Sequence, residues 1–163
     1  MKKRNINGIT AGALFAASYV VLTFVSQIFG LASGAIQFRL SECLTVFAYM
    51  GSYSIMGLTV GCFLANLLTG CALWDIIFGS VATLIGAVGT YYIHKVSDRL
   101  LWLPPVLSNC IIVPVVLQKV YGVTDAYWYL MLTVGIGEIA MCLAVGMLVH
   151  KAVKKRIEKL GEI

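Results

Sequence analysis

The chain has 163 residues, of which 60% are hydrophobic and only 12% charged, and its formal net charge is +5. Soluble domains are about half apolar and about one quarter charged, so this composition excludes an ordinary soluble protein and indicates an integral membrane protein. The positive charge needs no nucleic-acid partner, because membrane proteins concentrate basic residues on their cytoplasmic side.

Six apolar runs approach the length of about 20 residues that crosses ~30 Å of hydrocarbon as a helix. In chain order they are Ile9 to Gly30, Phe38 to Tyr53, Ile55 to Leu73, Ile76 to His94, Leu101 to Tyr121 and Ala126 to His150. Little sequence remains outside them. We therefore predict an all-α bundle of six transmembrane helices, built as a single substrate-binding domain over residues 1–163.

The basic residues predict the orientation of this bundle. All of them except Arg39 and Lys119 lie at the chain ends or between the fourth and fifth runs. With an even number of spans, this bias places both termini in the cytoplasm of a multi-pass protein of the bacterial cell membrane. Lys2 to Arg4 could instead open a secretory signal cleaved within Leu31 to Ala35, but the apolar run is too long for a signal core and five more runs follow.

The first run carries two pairs of small residues spaced four apart. Gly12 and Ala16 form one pair, and Ala13 and Ala17 form the other. Small residues at this spacing let a second helix approach closely in a bilayer, where association depends on packing. Two alternatives stay open: the strip docks a partner protein, or it packs within this chain's own bundle.

Arg39 and Glu42 place both signs of charge at the start of the second run. An ionisable side chain at membrane depth costs several kcal/mol unless it finds a partner or faces a cavity, so the pair marks a candidate site. Their i, i+3 spacing allows a mutual ion pair on one helix face. Alternatively, Arg39 reaches out to the interface and leaves Glu42 pointing inward.

Other polar and aromatic side chains are expected on the same outer half. Several of these residues also have a structural alternative. Asp75 could serve as a helix N-cap, and Trp74 and Trp128 could serve as interfacial anchors. Glu138, near mid-membrane, could be a structural hydrogen-bonding group. A cavity lined by such groups suits a small, flat, nitrogen-rich molecule with donor groups or a positive charge. The candidates are Arg39, Glu42, Asn66, Trp74, Asp75, Asn109, Gln118, Trp128 and Glu138.

The sequence lacks the patterns of an enzyme. No Ser, Cys or Lys stands at a recognisable motif spacing from a His or carboxylate, and the phosphate-binding pattern G-x-x-x-x-G-K-[ST] is absent. The five cysteines are scattered without the spacing of a zinc site. We expect no catalysis, metal or cofactor, and the energy for any transport must come from an ion gradient or another subunit.

Three motifs carry a family resemblance. They are Ala35-Ile36-Gln37-Phe38-Arg39-Leu40-Ser41-Glu42, Gly61-Cys62-Phe63-Leu64-Ala65-Asn66-Leu67 and Asp75-Ile76-Ile77-Phe78-Gly79-Ser80. With these motifs the chain resembles the QueT-type queuosine-precursor transporters, which are substrate-binding S components of energy-coupling factor (ECF) transporters. The likeness extends over nearly the whole chain, including its size and its six apolar runs.

The resemblance implies capture of preQ1, or of a related 7-deazaguanine such as queuine, from outside the cell. It also implies a membrane scaffold subunit and two cytoplasmic ATPases that drive uptake, with Ala13 and Ala17 matching the A-x-x-x-A docking pattern on the first helix. Glu42 and Glu138 would bind the guanine-like edge and the aminomethyl cation, in an order that stays open. Their expected helpers are Asn66, Asp75 and Gln118 as hydrogen-bond partners and Trp74 or Trp128 as a stacking ring.

Two other classes remain as alternatives. An autonomous ion-coupled carrier would use Glu138 as a protonation switch, since acids within membrane helices often relay protons. A structural or assembly subunit would need only the tight helix packing that the small residues favour.

Overall fold

The computed structural model describes the backbone of residues 2–31 and 37–160 and the side chains of 7–31 and 37–156. Throughout these ranges the regular structure is helical and contains no strand, which confirms the all-α prediction. The first two residues of the resemblance motif, Ala35 and Ile36, lie outside the described residues. So does the candidate cleavage zone beyond Leu31.

Each of the six predicted runs falls on a helical part of the chain. The elements are α1 (Lys2–Ile28), a 3₁₀ helix (Leu40–Met50), α2 (Ser52–Leu68), α3 (Leu73–Ile93), a short 3₁₀ turn (Asp98–Leu100), α4 (Leu103–Lys119), α5 (Tyr127–Glu138), a π-helical segment (Ile139–Gly146) and α6 (Met147–Leu160).

Four of these stretches are long and apolar enough to cross a membrane, which makes the chain a multi-pass membrane protein. They are Asn7–Ile28, Leu73–Ile93, Asp98–Lys119 and Tyr127–Arg156. The second and third predicted runs form the shorter apolar helices Leu40–Met50 and Ser52–Leu68. They are shorter than expected because residues 37–39 are not helical and Gly51, with φ of 129°, separates the two helices.

The 3₁₀ helix lies at the centre of the bundle. It contacts α1, α2, α3, α4, α6 and the π-helical segment, and its buried residues run from Ser41 to Ala48 with the exception of Leu44. Its start is fixed on α1, where the backbone N–H of Leu40 donates to Ser26 Oγ at 2.8 Å. At about 2.0 Å rise per residue, a 3₁₀ helix of this length reaches ~22 Å, so a short run spans much of the bundle.

Small residues bring α1 and α2 into close contact. A Cβ at Gly57 would overlap the backbone carbonyl oxygen of Gly12, and a Cβ at Gly61 would lie 2.9 Å from Ala16 Cα. Gly12 and Ala16 therefore serve internal packing, which is one of the two alternatives that the sequence left open. The other pair, Ala13 and Ala17, is exposed on the far side of α1.

The helix α1 is the most peripheral of the long helices. Only 17% of its most apolar stretch is buried, compared with 39 to 44% for the other three candidate spans. Large apolar side chains such as Leu14 and Ile28 are 68% and 79% exposed. Such a surface fits lipid or another membrane helix, because apolar exposure carries no penalty in a bilayer.

The two ends of the bundle differ in charge. Where α3 ends, Asp98 binds His94 at 2.7 Å and Lys154 of α6 at 3.0 Å. Lys95 and Arg99 lie in the same connection between α3 and α4. At the opposite end, where α3 begins, Asp75 is the charged residue of the first turn. Lys95, Arg99 and Lys154 thus lie at the end away from Asp75, whereas Lys119, in the last turn of α4, lies at the same end as Asp75.

The close approach of α1 and α2 predicts the effect of one methyl group. Gly57→Ala should lower the unfolding midpoint, because overpacking costs about 1 to 3 kcal/mol whereas the gain in helix propensity is about 1 kcal/mol. Thermal unfolding of the purified chain in detergent measures this, with the exposed site Val60→Ala on the same helix as the control. A higher midpoint for Gly57→Ala would contradict the packing.

Candidate functional site

A cavity of about 350 Å³ lies at the end of the bundle where α3 begins. We call it the outer cavity. Its volume falls in the range of about 300 to 1,000 Å³ typical of small-molecule sites. Side chains from α1, the non-helical residues 37–39, the start of α3, α4 and the connections α2–α3 and α4–α5 line it, including Thr23, Gln27, Gln37, Arg39, Thr69, Cys71, Asp75, Val113 and Tyr121.

At this cavity, a hydrogen bond between Asp75 and Tyr121 joins the start of α3 to the connection that follows α4. The Tyr121 hydroxyl donates to Asp75 Oδ2 at 2.9 Å and accepts from the backbone N–H of Ala72 at 3.2 Å. Burial, with the neighbouring Asp75 carboxylate, raises the pKa of Tyr121 to about 12. The phenol therefore stays protonated at neutral pH and keeps Asp75 fixed at the cavity wall.

A second, smaller cavity of about 20 Å³ lies deeper in the bundle, and we call it the inner cavity. This volume holds about one water molecule. Glu42, Glu138 and Asn109 line it together with Gln37 and Arg39. The structure thus brings both acids, which are separated by 96 positions in sequence, to one place. Only 2% of Glu42 and 8% of Glu138 is exposed.

Glu42 is only partly satisfied by its neighbours. The Tyr19 hydroxyl of α1 donates to its Oε1, and the Asn109 side chain lies near both acids and interacts favourably with each. Among the described residues no group forms a hydrogen bond with Glu42 Oε2. An unsatisfied buried acceptor costs about 1 to 3 kcal/mol. The inner cavity therefore presents an open position for a donor.

Glu138 is held beside Glu42 by the local backbone. It is the last residue of α5, directly before the π-helical segment, a form that often occurs at functional sites. The Cys142 thiol, one turn later, donates to Glu138 Oε2 at 3.7 Å and to the Glu42 carbonyl oxygen at 3.4 Å. Gly137 has no side chain, which lets the Gln37 backbone lie directly against α5.

Arg39 forms a different contact from the ion pair considered above. Its guanidinium donates to Asn66 Oδ1 of α2, and within the described ranges it forms no ion pair with a carboxylate. The reason is the backbone: Arg39 is extended (φ −96°, ψ 101°) and precedes the 3₁₀ helix, so it does not share a helix face with Glu42. Asn66 is completely buried.

The remaining candidates lie outside both cavities. Gln118 donates to the backbone carbonyl oxygen of Asp125 at 2.8 Å and so braces the connection between α4 and α5. Trp74 is 57% exposed and stacks on Phe78, with ring centroids 5.9 Å apart. Trp128 is 62% exposed. Exposed tryptophans at helix ends fit the alternative role of interfacial anchors.

Sequence reasoning missed several residues of the site, among them Tyr19, Gln37 and Tyr121. Tyr19 was overlooked because its pairing with Glu42 depends on the rotation of α1, although a tyrosine within an apolar helix signals that its hydroxyl needs a partner. Gln37 stood in the quoted motif but was not among the candidate site residues. Tyr121 ended the fifth apolar run and gave no signal of its contact with Asp75.

These features define a class: a helical membrane protein with two polar cavities inside its bundle, one of them the size of a small solute. The chain belongs to the QueT transporter family, whose model matches residues 9–155. One similar protein is the queuosine precursor transporter QueT of Lactococcus lactis subsp. cremoris (strain MG1363), at 33% identity over 104 residues. The match covers 63% of this chain and 60% of that relative. No solved structure matches the fold.

The contact between α1 and Glu42 predicts a stability change. Tyr19→Phe removes the hydroxyl that binds Glu42 Oε1, and the unpaired buried carboxyl group should lower the free energy of unfolding by about 1 to 3 kcal/mol. Tyr92→Phe, at a side chain that is 61% exposed, is the matched control. Unfolding of both variants in detergent measures the difference, and equal midpoints would argue against the hydrogen bond.

Proposed function

We propose that this chain is the substrate-binding S component of an ECF importer and captures a queuosine precursor, preQ1 or a related 7-deazaguanine such as queuine. The family membership and the name of the Lactococcus relative support the solute class. The observation that carries the proposal is the buried Glu42 Oε2, which has no hydrogen-bond donor among the described residues and belongs to a side chain that lines the inner cavity.

The chemistry of preQ1 matches the two acids. Its guanine-like edge offers two adjacent N–H donors, which one carboxylate accepts together, and its aminomethyl group is cationic. Hydrogen bonds to charged groups are among the stronger ones, worth about 1.5 to 3 kcal/mol each. Of the described side chains that line this cavity, Glu42 and Glu138 are acidic and Arg39 is basic, so with both acids ionised a single positive charge on the solute balances the cluster.

In this proposal the solute enters the protein through the outer cavity. Its 350 Å³ accommodates a two-ring base, and Asp75 gives it negative charge that attracts a cation. By the positive-inside rule, the end of the bundle with Lys95, Arg99 and Lys154 faces the cytoplasm. The outer cavity then faces the outside, from which the solute arrives.

ATP hydrolysis belongs to partner subunits in this proposal. The sequence has no phosphate-binding loop, and the chain itself binds rather than catalyses. A scaffold subunit would dock on α1, which is the most peripheral helix and exposes Ala13 and Ala17. Small residues on an exposed helix face allow the close approach that membrane helices need.

Binding of preQ1 by two acid variants tests the site. Glu42→Gln and Glu138→Gln should each weaken affinity by about tenfold or more, because each replaces a charged acceptor with a neutral amide. Calorimetric titration of the purified chain with preQ1 measures this, with Asp125→Asn on the exposed connection after α4 as the control. Unchanged affinity in both acid variants would overturn the assignment.

A second candidate function, an ion-coupled carrier, is favoured by the two neighbouring buried acids, since such groups relay protons in carriers. Uptake of preQ1 into liposomes distinguishes the ion-coupled carrier from the S component. The chain alone, under a proton gradient, should accumulate no preQ1, whereas addition of the scaffold and ATPases with ATP should restore accumulation. Proton-driven uptake by the chain alone would contradict the S-component proposal.

A further inference from the structure

Three side chains form the common wall of the two cavities. Of the residues whose side chains the structure describes, Gln37, Arg39 and Val113 line both cavities. Val113 is apolar and belongs to α4. Arg39 is the member of the wall whose long side chain is tied to a different helix, through its bond to Asn66 of α2. A movement of the Arg39 guanidinium would therefore open or close the separation between the two cavities.

The wall has to move if a solute is to reach the acids. The inner cavity of about 20 Å³ holds about one water molecule, whereas the outer cavity of about 350 Å³ is large enough for a two-ring base. A base in the outer cavity is separated from Glu42 and Glu138 by the wall. Side-chain movement is the smallest change that joins the two spaces.

Arg39 has a second acceptor within the outer cavity. Asp75 lines that cavity together with Arg39, and its carboxylate attracts the guanidinium electrostatically. Tyr121 holds Asp75 in place through the 2.9 Å hydrogen bond. Asn66 offers a neutral amide oxygen, whereas Asp75 offers a charged carboxylate. Both contacts are charge-assisted through the guanidinium, but Asp75 adds the attraction of an opposite charge, which offsets the loss of the Asn66 bond.

We propose that Arg39 is a movable partition: bound to Asn66 it separates the two cavities, and turned toward Asp75 it joins them. The inference rests on the proposed function in one respect, which is that Glu42 and Glu138 are the destination of the solute. It adds a positioning role for Arg39 and Asp75. In the joined state a donor of the solute pairs with Glu42 Oε2, and Asp75 neutralises the displaced guanidinium.

The chain contains its own reporters for this movement. Cys62 lines the inner cavity and is 1% exposed, whereas Cys71 lines the outer cavity and is half-buried. The small neutral thiol reagent methyl methanethiosulfonate carries no charge that Arg39 or Asp75 would repel or attract, and it should reach Cys62 from the outer cavity only when the partition is open. Peptide mass spectrometry resolves both cysteines in the native chain, so no cysteine needs replacement. The rate at Cys62 divided by the rate at Cys71 measures the opening.

Arg39→Ala should raise this ratio by about tenfold or more, because the minor state of a two-state equilibrium is commonly populated at about 10% or less. Arg39→Met, which keeps an unbranched apolar stem but removes the guanidinium and both polar contacts, should raise it in the same direction if Arg39→Ala folds poorly. Asp75→Asn should lower the ratio below wild type, because it weakens the open position. Gln37→Ala is the matched control, since it shortens another residue of the wall and leaves Arg39 in place.

Three results would overturn the partition: an unchanged ratio in both Arg39 variants, an unchanged ratio in Asp75→Asn, or an equal rise in Gln37→Ala. The experiment contains no solute, so its outcome is independent of the solute's identity. Failure of wild-type chain to bind preQ1 would overturn the proposed function and leave the labelling ratios interpretable.

Discussion

Two carboxyl groups buried in an apolar bundle require partners, and much of the structure around them meets this requirement. Tyr19 reaches Glu42 from α1, and the Cys142 thiol ties Glu138 to the backbone of Glu42. Asn109 interacts with both acids from α4. Within the described part of the chain, no group donates a hydrogen bond to the second carboxyl oxygen of Glu42. A folded protein keeps such a cost where a ligand removes it, because strain of this kind is retained at functional sites.

The central position of the 3₁₀ helix follows from the same constraint. This short helix contacts nearly every other element. The carboxyl group of Glu42, which it carries, therefore lies close to side chains from α1, α4 and the end of α5. Close contacts at Gly57 and Gly137 bring the surrounding backbones near enough to enclose it. The site is thus a product of packing, and small residues such as Gly12 and Ala16, for which the sequence left partner docking and internal packing open, take part in that packing.

Hydropathy was sufficient to place the apolar runs on helical segments, four of which are long enough to span a membrane, and the cost of burying charge was sufficient to single out Arg39, Glu42 and Glu138 as candidates. Hydropathy and the cost of burying a charge can each be read from one segment of the sequence at a time. The pairing of Tyr19 with Glu42, the Arg39 to Asn66 contact and the external positions of Trp74 and Trp128 depend on helix rotation and on the extended backbone at Arg39. Sequence patterns for isolated helices do not contain that information. The 3₁₀ form of the second run was likewise unpredicted, because long 3₁₀ helices are rare.

The central claim is that the acid pair selects a 7-deazaguanine among the bases a cell contains. Native mass spectrometry tests it directly, with the purified chain in lipid nanodiscs exposed to an equimolar mixture of preQ1, queuine, adenine and uracil. We expect an adduct with the mass of preQ1 or queuine and none with adenine or uracil. An adduct with adenine of equal intensity, or no adduct with any base, would contradict it.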